Sequence, residues 1–514
     1  MALRSFFPSV NCIKLLLFLW CFNVHNVACA QAEDVNPLAN QEIYKRGFLY
    51  SLTIPKVIPL HYQQINCHLW VDKSIDVATS SDQKVTIFGL AVDIRTAETA
   101  LCSIAHNLAQ ALCISEKRFH EECDFICGRY AVIYNPQKDI TRIVTDATSM
   151  RAIYYSQDGT LITGHAKLLA DNLAGKFVAP IVSAALMDGY PGRMTPYAGV
   201  FTLLPNTALT IGTGSLSRFY PRGPLQRLSP DRVVAMVVPW LANALIGARK
   251  HKPFVVSLTA GIDTRTTMAI EHVINREKPS LYFTYSTNKR LSECGDYRNS
   301  RIIIDAKVAE HIARCLKLSH KVINIDVRET RKNFSAMEIL TFQANAFHKH
   351  FPAMTKTLKN EFNDQFIHIR SQICEIMRAY YTWAKVTSDT SDWFFQITHK
   401  KFCNYFDSET LQALANDYLK TTQLDRKALF NYDCRDIYCW EQGTATWAPE
   451  VFIETDLAYE TFIPWNARAI ITALLQVPFE DRWKATIFKK IIARFCPEIK
   501  DLAINPRTWP PLAS

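Results

Sequence analysis

The pattern of apolar and polar positions changes once along the chain, near residue 230. Between residues 46 and 220 the apolar residues come in short runs: 85–92 (VTIFGLAV), 130–134 (YAVIY), 141–145 (TRIVT) and 152–155 (AIYY). Runs of this length, rich in β-branched and aromatic residues and bounded by turn signals, predict strands. Asn135-Pro136 and Asp158-Gly159 supply the turns. One helix is predicted over residues 96–111. Short strands with few helices predict a layered α+β or sandwich-like domain. Residues 191–221 are rich in Pro and Gly and read as a linker containing one hairpin.

From residue 230 the order becomes helix 231–248, strand 254–258, helix 264–275, strand 280–286, helix 304–316 and strand 321–326. Strands that alternate with helices predict a parallel sheet with right-handed crossovers. After about residue 335 the pattern is largely helical, and no internal repeat or low-complexity tract interrupts it.

A length of 514 residues suggests about two to four domains. With 48% hydrophobic and 21% charged residues the chain can bury sizeable cores. The net charge of +10 is spread out, with no long basic run and no interleaved aromatics, which argues against nucleic acid as a partner. The fifteen cysteines are irregularly spaced; the nearest pairs, Cys123/Cys127 and Cys434/Cys439, form no CxxC, so structural zinc is not expected. Scattered buried thiols in a reducing compartment are the simpler reading.

The N-terminus points the other way. Arg4 and Lys14 precede an apolar run at 15–22, followed by small residues around Ala28, Cys29 and Ala30. That is the form of a secretory signal, too short for a confident membrane span. Its removal would leave twelve cysteines. Localisation is therefore read as cytoplasmic, with export or membrane anchoring through residues 1–30 as the alternative.

Candidate chemistry concentrates at residues 253–275. A β-rich run ends in Ser257-Leu258, a small polar loop follows (Thr259-Ala260-Gly261-Ile262-Asp263-Thr264), and a helical pattern opens with Arg265. Backbone N–H groups at such a helix start, with the helix dipole, suit an anion. Asp263 adds a carboxylate that would hold Mg²⁺ beside phosphates. The loop lacks the Gly-Lys-Ser/Thr of a Walker loop and has one glycine, too few for a dinucleotide fingerprint. Without a ligand it is an ordinary strand-to-helix turn capped by Asp263.

VSLTAGIDTR resembles the SGGxDS pyrophosphate loop of the asparagine synthetase and β-lactam synthetase superfamily, the N-type ATP pyrophosphatases. Thr259 stands at the first Ser, Gly261 at the second Gly, Asp263 at the Asp and Thr264 at the last Ser; Ala260 departs from the first Gly. Residues 281–286, ending in Tyr285-Ser286, resemble the strand that lines the family's adenine pocket, and 305–320 resembles its D-x₃-A…L-x-H segment. In the other half, 127–134, 144–146 and 151–155 resemble the family's glutaminase-type domain, and Pro205-Asn206 with 218–221 its linker.

The resemblance implies an α/β protein: a C-terminal parallel-sheet ATP-pyrophosphatase domain (adenine nucleotide alpha hydrolase-like, residues 229–510), preceded by an α+β glutaminase-like domain of the Ntn sandwich type (46–222) and an N-terminal extension (1–45). It implies an ATP-dependent ligase, with ATP and Mg²⁺ as cofactors. A carboxylate would be adenylated with release of pyrophosphate and attacked by an amine or ammonia, asparagine from aspartate being the family default. Ser257, Leu258, Thr259, Ala260, Gly261, Asp263, Thr264, Arg265, Tyr285 and Ser286 would bind the nucleotide, and a homodimer is compatible with it.

The departures narrow this. The family's glutaminase needs Cys as its first mature residue, and no residue near 46 supplies one. Its glutamine-binding Asn-Gly-Glu is Phe88-Gly89-Leu90 here, so no glutamine hydrolysis is expected. β-Lactam synthetases show the same loss. The Gly-rich metal segment is replaced by residues 369–378, where Glu375 would bind the second Mg²⁺ site and Arg378 would steady phosphate. The late catalytic Lys is replaced by a region offering Arg507. The alternative is a catalytically silent relative that binds nucleotide or a partner.

Overall fold

The computed structural model describes residues 42–175, 189–288, 297–347, 352–362 and 364–508. The signal-like stretch at 1–30 lies outside the described residues, as does the far end of the expected C-terminal domain.

The fold is mixed α/β, with two antiparallel sheets and one parallel sheet. The first antiparallel sheet runs β10 (Val200–Thr202), β8 (Tyr154–Ser156), β9 (Leu161–Thr163), β1 (Phe48–Ser51), β3 (Leu69–Asp72), β2 (Tyr62–Gln64). The second runs β12 (Leu216–Arg218), β11 (Thr207–Thr210), β7 (Ile140–Thr145), β6 (Ile126–Gln137), β5 (Val85–Asp93), β4 (Val77–Thr79). Their side chains sort by the two-residue period of a strand. On β5 and β6, Val85, Ile87, Tyr130, Val132 and Tyr134 pack under the helices Leu101–Ile114 and Glu116–Cys123. Phe88, Ala131 and Ile133 face Phe48, Val71 and Ile162 of the first sheet. Helix Ala166–Leu173 covers that sheet's other face through Leu168 and Leu169.

Three sequence expectations change here. The Pro/Gly-rich stretch at 191–221 is more than a linker, because β10 joins the first sheet and the β11–β12 hairpin extends the second. Asn135-Pro136 does not end its strand; it sits within β6 where the register shifts between Tyr134 and Gln137, a place where proline's missing N–H leaves no ladder bond unmade. The helix expected from residue 96 begins at Leu101, since Ala97 has φ +58 and the Glu98 carboxylate accepts the N–H groups of Thr99 and Ala100.

The parallel sheet runs β15 (His320–Asn324), β14 (Leu281–Ser286), β13 (Phe254–Ser257), β16 (Ile367–Ile369), β17 (Glu460–Phe462). Numbered by appearance, that order is 3-2-1-4-5, so the connections reverse direction between β13 and β16. A crevice outside the carboxyl ends of the strands at such a reversal is where open α/β sheets bind ligands. Helix Pro230–Arg249 is long and apolar enough to cross a membrane by length and composition. It instead buries Val233, Val237, Leu241 and Leu245 in a core shared by both halves of the chain.

Buried polar groups join the halves. Arg129 forms a two-pronged ion pair with Asp456, both bonds at 2.8 Å. Arg218 pairs with Glu441, and the Asn466 amide donates to Gly128 and Asp146.

Candidate functional site

The site forms where two loops meet at the carboxyl ends of β13 and β16. The apolar strand β13 ends at Ser257, and helix Ile262–Ile274 begins with Gly261 as its N-cap. Gly261 offers no side-chain cap, which leaves the first-turn N–H groups to other partners. Leu258 and Ala260 are buried, so only their backbone can meet a ligand. The hydroxyls of Thr259 and Thr264 lie 2.9 Å apart, and Thr259 Oγ1 accepts the Gly261 N–H at 3.0 Å. The Asp305 carboxylate of helix Tyr297–Leu316 lies near the Ala260 N–H; burial raises its pKa, against the opposing pull of Arg301 and of that N–H.

The facing loop follows β16. Ser371 donates to Thr267 at 2.7 Å, and Trp465 donates to the same hydroxyl at 2.9 Å, which fastens this loop to helix Ile262–Ile274. Ile373 at φ +72 and Ala379 at φ +53 bracket the short helix Cys374–Met377 that carries Glu375. Arg378 then reaches back across the reversal, its Nη2 2.9 Å from Asp263 Oδ2.

Asp263 is the electrostatic centre of the site. Its carboxyl is pushed up to about 7, chiefly by burial and further by Glu375, against the opposing pull of Arg378. The ion pair alone would lower it; desolvation wins because most of the carboxylate has left water. Oδ2 has its partner, while Oδ1 is buried with none. An orphaned carboxylate oxygen beside a second carboxylate suits a hard cation. Among the described residues no three His, Cys, Asp or Glu side chains cluster as a metal cage. Magnesium at nucleotide sites takes one or two carboxylates with phosphate oxygens and water, so Asp263 and Glu375 fit that role.

The other expected residues are distributed as follows. Ser257 Oγ is hydrogen-bonded to the buried His368 Nε2 of β16. Tyr285 is 42% exposed at the end of β14, and Ser286 beside it is buried. Arg265 is buried, its guanidinium donating to the Leu502 and Ala503 carbonyls; it binds the C-terminal segment rather than standing open for a nucleotide. Arg507 is exposed, two residues beyond Asn505, whose N–H donates to the Ala260 carbonyl at 3.1 Å. The structure thus joins Asp263 and Arg378 directly, places Glu375 near enough to raise the Asp263 pKa, and brings Arg507's segment alongside.

Asp305 and His368 have neighbours at the loop that the sequence did not disclose. Asp305 lies in a segment singled out on other grounds; for His368 no sequence signal existed. Burial holds His368 well below the usual imidazole range, and Arg370 adds to this.

A surface hollow of ≈ 770 Å³ lies elsewhere, lined by Arg249, Lys252, Pro253, Arg276 and Lys278 at the amino end of β13. Two of its cations are engaged within the protein: Arg249 with Ser280, Lys252 with the Asp364 carbonyl. The switch point is the better site because its charged groups converge from two loops and one oxygen is unsatisfied.

In the sandwich, the start of β1 is closed. A Cβ at Gly47 would lie 2.2 Å from the Tyr62 hydroxyl and 2.4 Å from His165 Nδ1. Phe88 packs on Phe48 with ring centroids 4.8 Å apart.

No protein-family model matches this chain, and no curated protein does. Among solved structures, NMN synthetase from Francisella tularensis is 15% identical, over 42% of this chain and 94% of that one, with a TM-score of 0.20. So low a score carries no argument about fold or function.

Proposed function

We propose that the chain is an ATP-dependent ligase of the asparagine synthetase type, which adenylates a carboxylate, releases pyrophosphate, and passes the acyl group to an amine or ammonia. One observation carries this reading. Asp263 and Arg378, 115 positions apart, meet at the reversal point of a parallel sheet, with Asp263 Oδ1 buried and unsatisfied and Glu375 close enough to raise its pKa.

In this reading the phosphates lie at the start of helix Ile262–Ile274. Thr259 and Thr264 exchange their mutual hydrogen bond for phosphate oxygens. The Gly261 N–H and the helix dipole favour the same charge. Asp263 and Glu375 would hold Mg²⁺, which supplies neutralisation of the pyrophosphate leaving group. Arg378, displaced from Asp263, becomes a donor to phosphate. Alignment and charge stabilisation are the protein's contribution. The nitrogen comes from outside the chain in this reading, since no Cys stands near residue 46 and a Cβ at Gly47 would lie 2.2 Å from the Tyr62 hydroxyl. ATP places the body in the cytoplasm in this reading.

The test is pyrophosphate release from Mg-ATP over a panel of carboxylic acids with ammonia or simple amines. Release that depends on acid and is lost in Asp263→Asn supports the ligase. A second reading, a silent nucleotide binder, is favoured by the contacts the resting loop makes with itself, Thr259 with Thr264 and Arg378 with Asp263 Oδ2. An ATP-dependent rise in melting temperature without pyrophosphate release selects it. Neither signal would sink the nucleotide reading altogether.

A further inference from the structure

Arg265 follows Asp263 and Thr264 in the first turn of helix Ile262–Ile274, yet it is 1% exposed. Its Nη1 and Nη2 donate to the carbonyls of Leu502 and Ala503 at 2.7 and 2.6 Å. Two residues on, Asn505 takes φ +48 and donates its N–H to the Ala260 carbonyl. The Asp305 carboxylate of helix Tyr297–Leu316 lies near the N–H of that same Ala260. The loop is therefore flanked by that helix and gripped by the C-terminal segment. Beyond these bonds, none among the described residues ties 503–508 to the body, and Ile504, Asn505 and Arg507 are exposed.

A planar guanidinium is suited to this task. Its fixed fork meets two successive carbonyls at once, which an ammonium on a flexible stem does not. Burial lowers the Arg265 pKa to about 10, which leaves it charged at neutral pH. A buried charge whose hydrogen bonds run to the C-terminal segment makes that segment's place part of the loop's own stability.

We infer that Arg265 is a positioning residue: it fixes residues 502–505 against the 259–264 loop, so that the C-terminal segment forms one wall of the anion site. The contact stands by itself; its consequence for nucleotide binding rests on the reading given under Proposed function.

Three full-length variants test this: Arg265→Met, Arg265→Lys and Asn505→Pro. The last leaves the core untouched, and proline has neither the N–H nor the φ of Asn505. The readouts are the rate of trypsin cleavage after Lys500 and the affinity for α,β-methylene-ATP with Mg²⁺. In Arg265→Met and Asn505→Pro, cleavage is expected to speed up by about tenfold and affinity to fall by about tenfold. Arg265→Lys is expected to fall between parent and Arg265→Met. A segment as protease-resistant in both variants as in the parent overturns the positioning role. A loosened segment with unchanged affinity in both overturns the wall. If the parent binds no nucleotide, the nucleotide reading fails, and the cleavage rates still decide the positioning role. Should Arg265→Met not fold, Asn505→Pro gives the same two readouts.

Discussion

Removing Asp456 should cost more stability than any change at the protein surface. Asp456 is almost wholly buried, and so is Arg129, whose two Nη atoms meet its two oxygens at 2.8 Å. Arg129 Nε goes to the Met150 carbonyl, so the guanidinium is fully engaged. Arg46 donates to the Asp456 carbonyl, and Arg151 lies near enough for Arg129 to lower its pKa, after burial, to about 10. Asp456→Ala leaves Arg129 in a dry seam among other arginines with its carboxylate gone. Breaking one partner of a buried pair costs about 3–5 kcal/mol, against a whole-protein stability of about 5–15 kcal/mol. The double change Arg129→Met with Asp456→Leu removes both desolvation penalties and should recover at least half of the loss. The assay is urea unfolding followed by tryptophan fluorescence, comparing the first transition, since a chain with two cores need not unfold in one step. A loss below about 1 kcal/mol in Asp456→Ala, or a double variant weaker than the single, would refute the reasoning.

At the site, Asp263→Asn should abolish pyrophosphate release while circular dichroism and melting stay near the parent's. Arg378→Met removes the group that holds the Asp263 pKa down, so the pH at which Mg²⁺ and ATP raise the melting temperature half-maximally should move upward; a downward move contradicts the pairing. In the sandwich, Gly47→Ala should lower the urea midpoint, because its methyl would lie within 2.5 Å of Tyr62 and His165 atoms; an unchanged midpoint means the pocket is looser than described. His165 is buried and its pKa falls from 6.5 to about 3, so its neutral form is the folded one: its contribution is complete above about pH 6.5 and is lost as pH falls toward 3. By pH 5 that loss is about 2 kcal/mol, so the stability difference between pH 7.5 and pH 5 should shrink by about that much in His165→Gln, although Asp436, raised to about 6, works in the opposite direction in both proteins.

What the sequence disclosed follows from range. The strand–loop–helix at 254–274 is local, and its apolar run, small loop and helical period are visible in adjacent residues. The parallel order follows from alternation of elements, and Asp263 from its place at the helix start. The contacts that give the site its character are distant in sequence. Arg378 meets Asp263 across 115 positions, and Arg265 meets Leu502 across 237. Arg265 was read as a nucleotide ligand because it adjoins Thr264. Each step along a helix turns the side chain about 100°, and that rotation is enough to send it to the C-terminal segment. The 191–221 stretch misled for another reason. Its glycines and prolines surround the short strands: Pro191, Gly192, Pro196 and Gly199 precede β10, and Pro205, Gly212 and Gly214 sit in the turns between β10, β11 and β12, so punctuation outweighs strands of three or four residues.

The resting loop shows how binding would have to proceed. Three of its interactions are each replaceable in kind by a ligand. The Thr259–Thr264 hydroxyl pair and the Ala260 N–H near Asp305 present donors that phosphate oxygens would also satisfy. The Arg378 cation stands on Asp263, where Mg²⁺ would stand. Such a site pairs many of its polar groups when empty, though not Asp263 Oδ1 or Arg378 Nε, and every contact it makes with itself is one the ligand must displace. Net affinity then comes from the surplus: two phosphate charges against one carboxylate at the helix start, and a divalent ion between two carboxylates against one guanidinium. Because Asp263 alone of these groups keeps an oxygen unsatisfied, the cation is where that surplus is largest. The nucleotide should therefore bind weakly without Mg²⁺. A titration of α,β-methylene-ATP in EDTA that matches the one in Mg²⁺ would remove the main support for Asp263 as a metal ligand.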